Sequence, residues 1–258
     1  MLRSHLSSMT LLFQFWKRLF TTQRLLRLST WKLCAYSTKN YRRVTFSRDY
    51  QDLLVLFIAS RKVNNSDSGA NTFLELGAFD GVHKSNCKGL EILGWTGIAI
   101  EANPNCWPSL ENNRSCEIFR GAISVNETQV IMMIDEDSPS QSYSSKYGRP
   151  IREKTNPLSV IVPAISVQSL IQYWNSNFGS PPKYYSSDIE GMDIMILQEF
   201  LKNSFFSEMI SIEHNHDPQI KHQINELCIQ FGYSVIFPDL CRNDSFLIQS
   251  HLLPLVDI

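Results

Sequence analysis

An acid and two glycines stand at the end of a predicted buried strand. Residues 73–81 read FLELGAFDG, with Glu75 inside the apolar run and Gly77 and Gly81 directly after it. Ligands bind at the carboxyl ends of the strands in a parallel sheet, and glycines there let a ligand approach the backbone. The spacing differs from the Gly-x-Gly-x-x-Gly loop that binds pyrophosphate, so it favours a ligand without one. The alternative is an ordinary strand and turn capped by Asp80.

A second acid ends the next predicted strand. The stretch GWTGIAIEANP places Glu101 twenty residues after Gly81. An acid in this position of a strand–helix–strand unit typically accepts hydrogen bonds from ribose hydroxyls. Four residues together predict a pocket for an adenosine-bearing ligand such as S-adenosylmethionine, with Glu75 at its amino-acid end: Glu75, Gly77, Gly81 and Glu101. Asn86 could add a contact to that end, or face solvent on a helix.

Two later predicted strands end in groups that could accept a proton. Asp188 and Glu190 end KYYSSDIEG, and side chains two residues apart on a strand point to the same side. If the ligand is S-adenosylmethionine, transfer of its methyl group needs in-line positioning of an acceptor, and a hydroxyl acceptor would also need a base. We predict Asp188 or Glu190 as that base or as a partner of the sulfonium; for Glu190, capping of the next helix is the alternative. His214, at the end of MISIEHN, is the third candidate because histidine titrates near neutral pH.

Metal-free chemistry is the preferred reading of these acids. Asp188, Glu213 and Asn215 could instead hold a divalent ion, and oxygen ligands alone would suit magnesium. Their spacing carries no specific metal signature. The six cysteines include no CxxC pair and no Cys/His spacing for zinc, which predicts free thiols in a reducing compartment.

Short apolar runs alternate with helical patterns through most of the chain. Several runs are continuous rather than alternating, as in strands buried on both faces. This order predicts an α/β fold with a mostly parallel sheet and helices on both faces. The long polar segment 135–157 is a candidate substrate lid, through Tyr143, Tyr147 and Arg149, or else a mobile surface loop.

The first 48 residues differ in charge from the rest. They hold ten of the 24 basic residues and no acid, which leaves 14 basic and 25 acidic residues, a net charge of −11, for the remainder. An acidic body argues against a nucleic-acid partner. The longest uncharged apolar stretch is too short to span a bilayer. We expect a helix on the surface of the domain or of a membrane, in a cytoplasmic protein; a mitochondrial presequence is the alternative.

Several segments, in order, resemble the FkbM family of S-adenosylmethionine-dependent methyltransferases. The most specific is DIEGMDIMIL, similar to the family's Asp-x-Glu-Gly-x-Glu pattern, with Asp193 where glutamate is more usual. The others are FLELGAFDGVHKSN, LGWTGIAIEANPNCWPSLENN, RGAIS, ISIEHN and GYSVIFPDLCRNDSFLI. Together they cover most of the chain after the basic head.

The resemblance implies a Rossmann-like, class I methyltransferase sheet of seven strands with a final antiparallel strand. It implies O-methylation of a hydroxyl on a sugar, a glycan or a small metabolite. The chain then divides into a basic extension (1–48), a helix and linker (49–71) and the methyltransferase domain (72–258).

Eight residues are the predicted cofactor contacts of this domain, with Ala122 beside the adenine and Ser124 at its edge. They are Glu75, Gly77, Ala78, Gly81, Glu101, Ala122, Ser124 and Asp188.

Two other functions compete with methyl transfer. One is a non-catalytic binding module that acts through a partner or a membrane surface. The other is a nicotinamide-dependent oxidoreductase, ranked last because the pyrophosphate loop is missing.

Overall fold

The computed structural model describes residues 45–62, 69–134, 143–144, 158–238 and 243–256. Its α-helices are α1 (Gln51–Lys62), α2 (Lys88–Ile92), α3 (Trp107–Asn113), α4 (Val167–Phe178), α5 (Asp193–Lys202) and α6 (Pro218–Phe231). Its strands are β1 (Thr72–Leu76), β2 (Thr96–Glu101), β3 (Glu117–Arg120), β4 (Ala122–Ser124), β5 (Gln129–Ile134), β6 (Tyr143–Ser144), β7 (Leu158–Ser166), β8 (Tyr184–Ser187), β9 (Met209–Glu213), β10 (Tyr233–Ile236) and β11 (Asp244–Gln249). Short 3₁₀ helices span Pro104–Cys106 and Ser250–Leu255.

Seven strands form the main sheet, in the order β10-β11-β9-β8-β1-β2-β3. Strand β11 runs antiparallel to both of its neighbours, and the other pairings are parallel. This is the Rossmann-like, mostly parallel seven-stranded sheet that the sequence predicts, including its final antiparallel strand. For the described residues, the predicted fold class is therefore confirmed.

The strands of the main sheet are buried on both faces. In β1 every residue is buried: Leu74 and Leu76 pack in the cluster that contains α4, α5 and α6, whereas Phe73 packs on the other face with α1 and α2. Burial on both sides explains the continuous apolar runs in the sequence. Helix α1 is part of this core, although it precedes residue 72.

The centre of the sheet is a topological switch point. From β1 the chain builds β2 and β3 on one side and then returns to place β8 on the other side of β1. The loops after β1 and β8 therefore diverge and leave a crevice at their carboxyl ends. Gly77 makes the close approach possible: its φ is +79°, and an added Cβ would lie 1.9 Å from the carbonyl oxygen of Asp188.

A second, four-stranded sheet has the order β4-β7-β5-β6. The chain passes from β3 through Gly121 into β4, so Ala122 and Ile123 lie beside the crevice. Most of the predicted lid lies outside the described residues, including Tyr147, Arg149 and the side chain of Tyr143. The same holds for residues 1–44 of the basic head. Within the described ranges, no helix is long and apolar enough to cross a membrane.

Candidate functional site

A cavity of about 270 Å³ lies at the carboxyl ends of the central strands. Of the ten residues predicted as catalytic groups or cofactor contacts, six line it: Gly77, Ala78, Glu101, Ala122, Asp188 and Glu190. Four others do not line it, namely Glu75, Gly81, Ser124 and His214. The fold thus brings most of the predicted site together at one edge of the sheet.

Glu101 binds two loops of the cavity through its carboxylate. Oε2 accepts the main-chain N–H of Phe79 at 2.6 Å, and Oε1 accepts that of Asn103 at 2.7 Å. A carboxylate has about four acceptor positions, so capacity remains for hydroxyl donors from a ligand. Burial raises the pKa of Glu101 to about 7. A ligand that donates hydrogen bonds would stabilise its ionised form.

Glu75 is predicted from the sequence to contact the ligand, but its hydrogen bonds in the structure are to other residues of the protein. Its Oε1 accepts from Ser85 Oγ at 2.8 Å and from Asn86 N at 2.9 Å, and its Oε2 lies 2.5 Å from Arg114 Nη1. Both Glu75 and the guanidinium are buried. The carboxylate therefore fixes the loop after β1 from beneath. Contact between Glu75 and a ligand stays a prediction.

Asn86 is buried in the cavity wall rather than exposed on a helix. Its Nδ2 donates to Ser186 Oγ at 2.9 Å. Its Oδ1 has no hydrogen-bond partner in the part of the chain that the structure describes. Buried acceptors without a partner are rare in folded proteins. An ammonium group of a bound ligand is the kind of donor that this oxygen lacks.

Three carboxylates from two strand ends meet at the cavity. One oxygen each from Asp188, Glu190 and Glu213 lies within 4.8 Å of the other two. Asp188 is solvent-accessible inside the cavity, yet the surrounding protein and the nearby Asp193 raise its pKa to about 6. Burial and the Asp188 charge raise the pKa of Glu190 to about 8 and that of Glu213 to about 10. The cluster therefore shares protons at neutral pH.

The same three oxygens are close enough to ligate one divalent cation. The sequence suggested Asp188, Glu213 and Asn215; the structure places Glu190 beside the first two, and Asn215 also lines the cavity. An acidic cluster alone does not establish a metal site, and a metal-free mechanism stays a prediction.

The turn between β8 and α5 explains how Glu190 reaches the cavity. Asp193 accepts from Ser187 Oγ at 2.6 Å and from the main-chain N–H groups of Ile189 and Gly191. Asp193 thus binds N–H groups of the turn itself. The N-cap of α5 is Met192, with no side-chain hydrogen bond, so Glu190 does not cap this helix as the sequence alternative suggested. Glu190 itself has a φ of 54°, a left-handed conformation that is uncommon outside glycine.

His214 lies beside the cavity and not on it. It lines an adjoining pocket of about 170 Å³ that shares Glu190, Glu213 and Asn215 with the main cavity. Its Nδ1 accepts the N–H of His216 at 3.0 Å, so the neutral ring carries its proton on Nε2. Burial lowers its pKa to about 4. A base role for His214 stays a prediction that this geometry does not favour.

The remaining predicted contacts divide between the cavity wall and the core. Ala122 and Ile123 line the cavity with Met132 and form an apolar wall. Ser124 is fully buried, and its Oγ donates to the carbonyl of Glu127 at 2.7 Å. Gly81 leaves room for Arg114, whose Cγ would lie 2.6 Å from an added Cβ.

Two cationic side chains of the cavity were not predicted from the sequence. They are Arg48, just before α1, and Lys84, in the loop after β1. Arg48 is one of ten basic residues in the first 48, and no local pattern distinguishes it from the others. Its place at the cavity depends on contacts with distant segments.

Comparisons with known proteins show limited likeness. No protein-family model and no curated protein matches this sequence. Among solved structures, the chain is similar to a human methyltransferase 10 domain containing protein, with 10% identity, 89% of this chain and 96% of that chain covered, and a TM-score of 0.43. It is also similar to a Methanococcus jannaschii fibrillarin pre-rRNA processing protein, with 14% identity, 70% and 67% covered, and a TM-score of 0.37. At such values the likeness carries no argument, and the fold assignment rests on the strand order.

Proposed function

We propose that this chain is an S-adenosylmethionine-dependent methyltransferase of the FkbM type, which methylates a hydroxyl on a sugar, a glycan or a small metabolite. One observation carries the proposal. A single cavity at the switch point of the sheet combines the Glu101 carboxylate, the unpartnered carbonyl oxygen of Asn86 and a cluster of acids.

These residues fit the parts of the proposed cofactor in order. Glu101 has acceptor capacity for two ribose hydroxyls, and the apolar wall of Ala122 and Ile123 suits an adenine ring. The Oδ1 of Asn86 would accept from the α-amine. Asp188 lines the same cavity and would complement a sulfonium charge. The bound cofactor would supply an electrophilic methyl group.

The chain's own contribution to the reaction is to position the acceptor hydroxyl and take its proton. Asp188 is our candidate base, because a pKa of about 6 leaves it mostly ionised at neutral pH. Glu190, with a pKa of about 8, is mostly protonated there and suits hydrogen-bond donation to the acceptor. His214 faces the adjoining pocket and takes no part in this proposal.

Calorimetric titration of the full chain with S-adenosylmethionine and S-adenosylhomocysteine tests the cofactor. We expect saturable binding of both ligands. Glu101→Gln should weaken it about 10- to 100-fold, as for loss of charge-assisted hydrogen bonds worth about 1.5–3 kcal/mol. Glu226→Gln is the matched control, since that side chain lies exposed on α6.

Binding should be unchanged in the control variant. If the folded wild-type chain binds neither ligand, the methyltransferase proposal is refuted, and a non-catalytic binding module becomes the better description. If Glu101→Gln and the control behave alike, the ribose assignment is wrong. The full chain is needed because deletion of residues 1–48 would remove Arg48, which lines the cavity.

A further inference from the structure

Residues 45–50, here called the strap, form part of the cavity rim. The buried carboxylate of Asp52 anchors the strap: it accepts from Phe46 N at 3.0 Å, from Ser47 Oγ at 2.7 Å and from the Thr45 hydroxyl. A parallel bridge joins Ser47 to Lys84 in the loop after β1. The strap is therefore fixed both to α1 and to the loop that carries Asn86.

A second set of contacts joins the strap to the start of β11. Asp49 N donates to Gln51 Oε1 at 3.0 Å, and Gln51 Nε2 donates to Asp244 Oδ2 at 2.5 Å. With its amide oriented so that Nδ2 donates to His216 Nε2, Asn243 accepts from Arg48 Nη1 at 2.7 Å and Nη2 at 3.1 Å. The guanidinium of Arg48 is thus held in place by a neutral partner at the cavity rim.

Arg48 and Lys84 bring positive charge to a cavity otherwise rich in carboxylates. Neither side chain forms a salt bridge with a carboxylate of the described residues, and both are exposed at the rim. The Asn243 amide is neutral, and the nearby Asp188 carboxylate interacts with the charges of Arg48 and Lys84 without a salt bridge to either one. A guanidinium held this way is prepared for an anionic ligand group, since its planar fork matches a carboxylate.

We infer that Arg48, assisted by Lys84, binds the α-carboxylate of the amino-acid end of the cofactor and so determines specificity for a ligand that carries it. The inference rests on the proposed function, because S-adenosylmethionine has one anionic group. The loop geometry supports it. Lys84 lies two residues from Asn86, our candidate acceptor for the α-amine, and the amine and carboxylate of an α-amino acid are attached to one carbon. Lys84 and Asn86 in the loop after β1 therefore suit the carboxylate and the amine of one amino acid.

The test compares ligands that differ only in the carboxylate. Wild-type full chain, Arg48→Ala, Arg48→Lys and Arg120→Ala are titrated with S-adenosylhomocysteine and with its decarboxylated analogue, which keeps the amine. Arg120 is the matched control, because it lies exposed on β3 and pairs with Glu111 away from the cavity. Thermal unfolding of each variant checks that it is folded.

We expect the wild type and Arg120→Ala to bind S-adenosylhomocysteine 10- to 100-fold more tightly than the analogue. Arg48→Ala should lose that preference by weakening only the carboxylated ligand, and Arg48→Lys should keep part of it. Equal weakening of both ligands, or no change in either, would overturn the inference while the proposed function stands. So would unchanged ligand binding with a raised KM for an acidic acceptor, which would assign the carboxylate to the acceptor. Failure of the wild type to bind either ligand would instead refute the proposed function.

Discussion

The buried ion pair between Glu75 and Arg114 tests whether the acid in the first strand serves stability or ligand binding. We expect Glu75→Gln to lower the free energy of unfolding by about 1.5–3 kcal/mol, because the buried guanidinium of Arg114 loses one of its two carboxylate partners and keeps only Glu91, whose Oε2 lies 2.5 Å from Nε. Glu75 is 3% exposed. Burial alone would lower the pKa of Arg114, but the Glu75 carboxylate raises that pKa above its usual range. The second nitrogen, Nη2, already lacks a partner among the described residues.

The magnitude can be read from urea unfolding and from thermal scans of the full chain without ligand. For a domain of this size, about 1.5–3 kcal/mol corresponds to a fall in Tm of roughly 3–12 °C. The matched control is Glu111→Gln, which breaks the exposed ion pair with Arg120 and should change stability by less than about 1 kcal/mol. A double variant, Glu75→Met with Arg114→Met, should be less destabilised than the two single changes summed.

One result would refute this reasoning. If Glu75→Gln unfolds at the same urea concentration as the wild type but binds S-adenosylhomocysteine at least tenfold more weakly, Glu75 contacts the ligand, as the sequence alone suggests. The donors around its carboxylate, Ser85, Asn86 and Arg114, would then have to rearrange on binding. If both stability and affinity fall together, the affinity loss follows from disorder of the loop after β1, and hydrogen exchange in that loop should rise.

Three further predictions follow from the cavity. Gly77→Ala should abolish ligand binding or folding, as judged by calorimetry and circular dichroism, because its Cβ would overlap the Asp188 carbonyl. The control is Gly94→Ala, at a position with φ +91° and no atom within 4 Å of an added Cβ. It should lower the free energy of unfolding by only about 1–2 kcal/mol. Without ligand, Tm should fall as pH rises from about 5 to 8, because the raised pKa values of Asp188 and Glu213 make the folded state bind more protons than the unfolded state. Glu213→Gln should make Tm less dependent on pH. An unchanged dependence of Tm on pH in this variant would contradict the prediction. Asp188→Asn should retain binding of S-adenosylhomocysteine, which has no sulfonium charge, while lowering methyl transfer at least about 100-fold. EDTA should leave the wild-type rate unchanged. Loss of the rate in EDTA, restored by Mg²⁺, would assign the acid cluster to a metal.

The sequence by itself determined the class of fold and the edge at which the site lies. Continuous apolar runs separated by helical patterns can be satisfied by a parallel sheet with two covered faces, and in such a sheet every strand ends at the same edge as its parallel neighbours. An acid at the end of a strand, such as Glu101 or Asp188, is therefore placed at the ligand edge by local pattern and topology together.

Only the tertiary structure decided what each side chain at that edge contacts. Glu75 lies within β1 on the face opposite Leu74 and Leu76, where Arg114, 39 residues away in sequence, reaches it. Arg48 enters the cavity because Asp52 and Asn243 hold the strap there. Strand periodicity specifies which face a side chain occupies, but not which distant segment covers that face. Those pairings depend on long-range packing, and for that reason the contacts of Glu75 and the role of Arg48 could not be read from spacing alone.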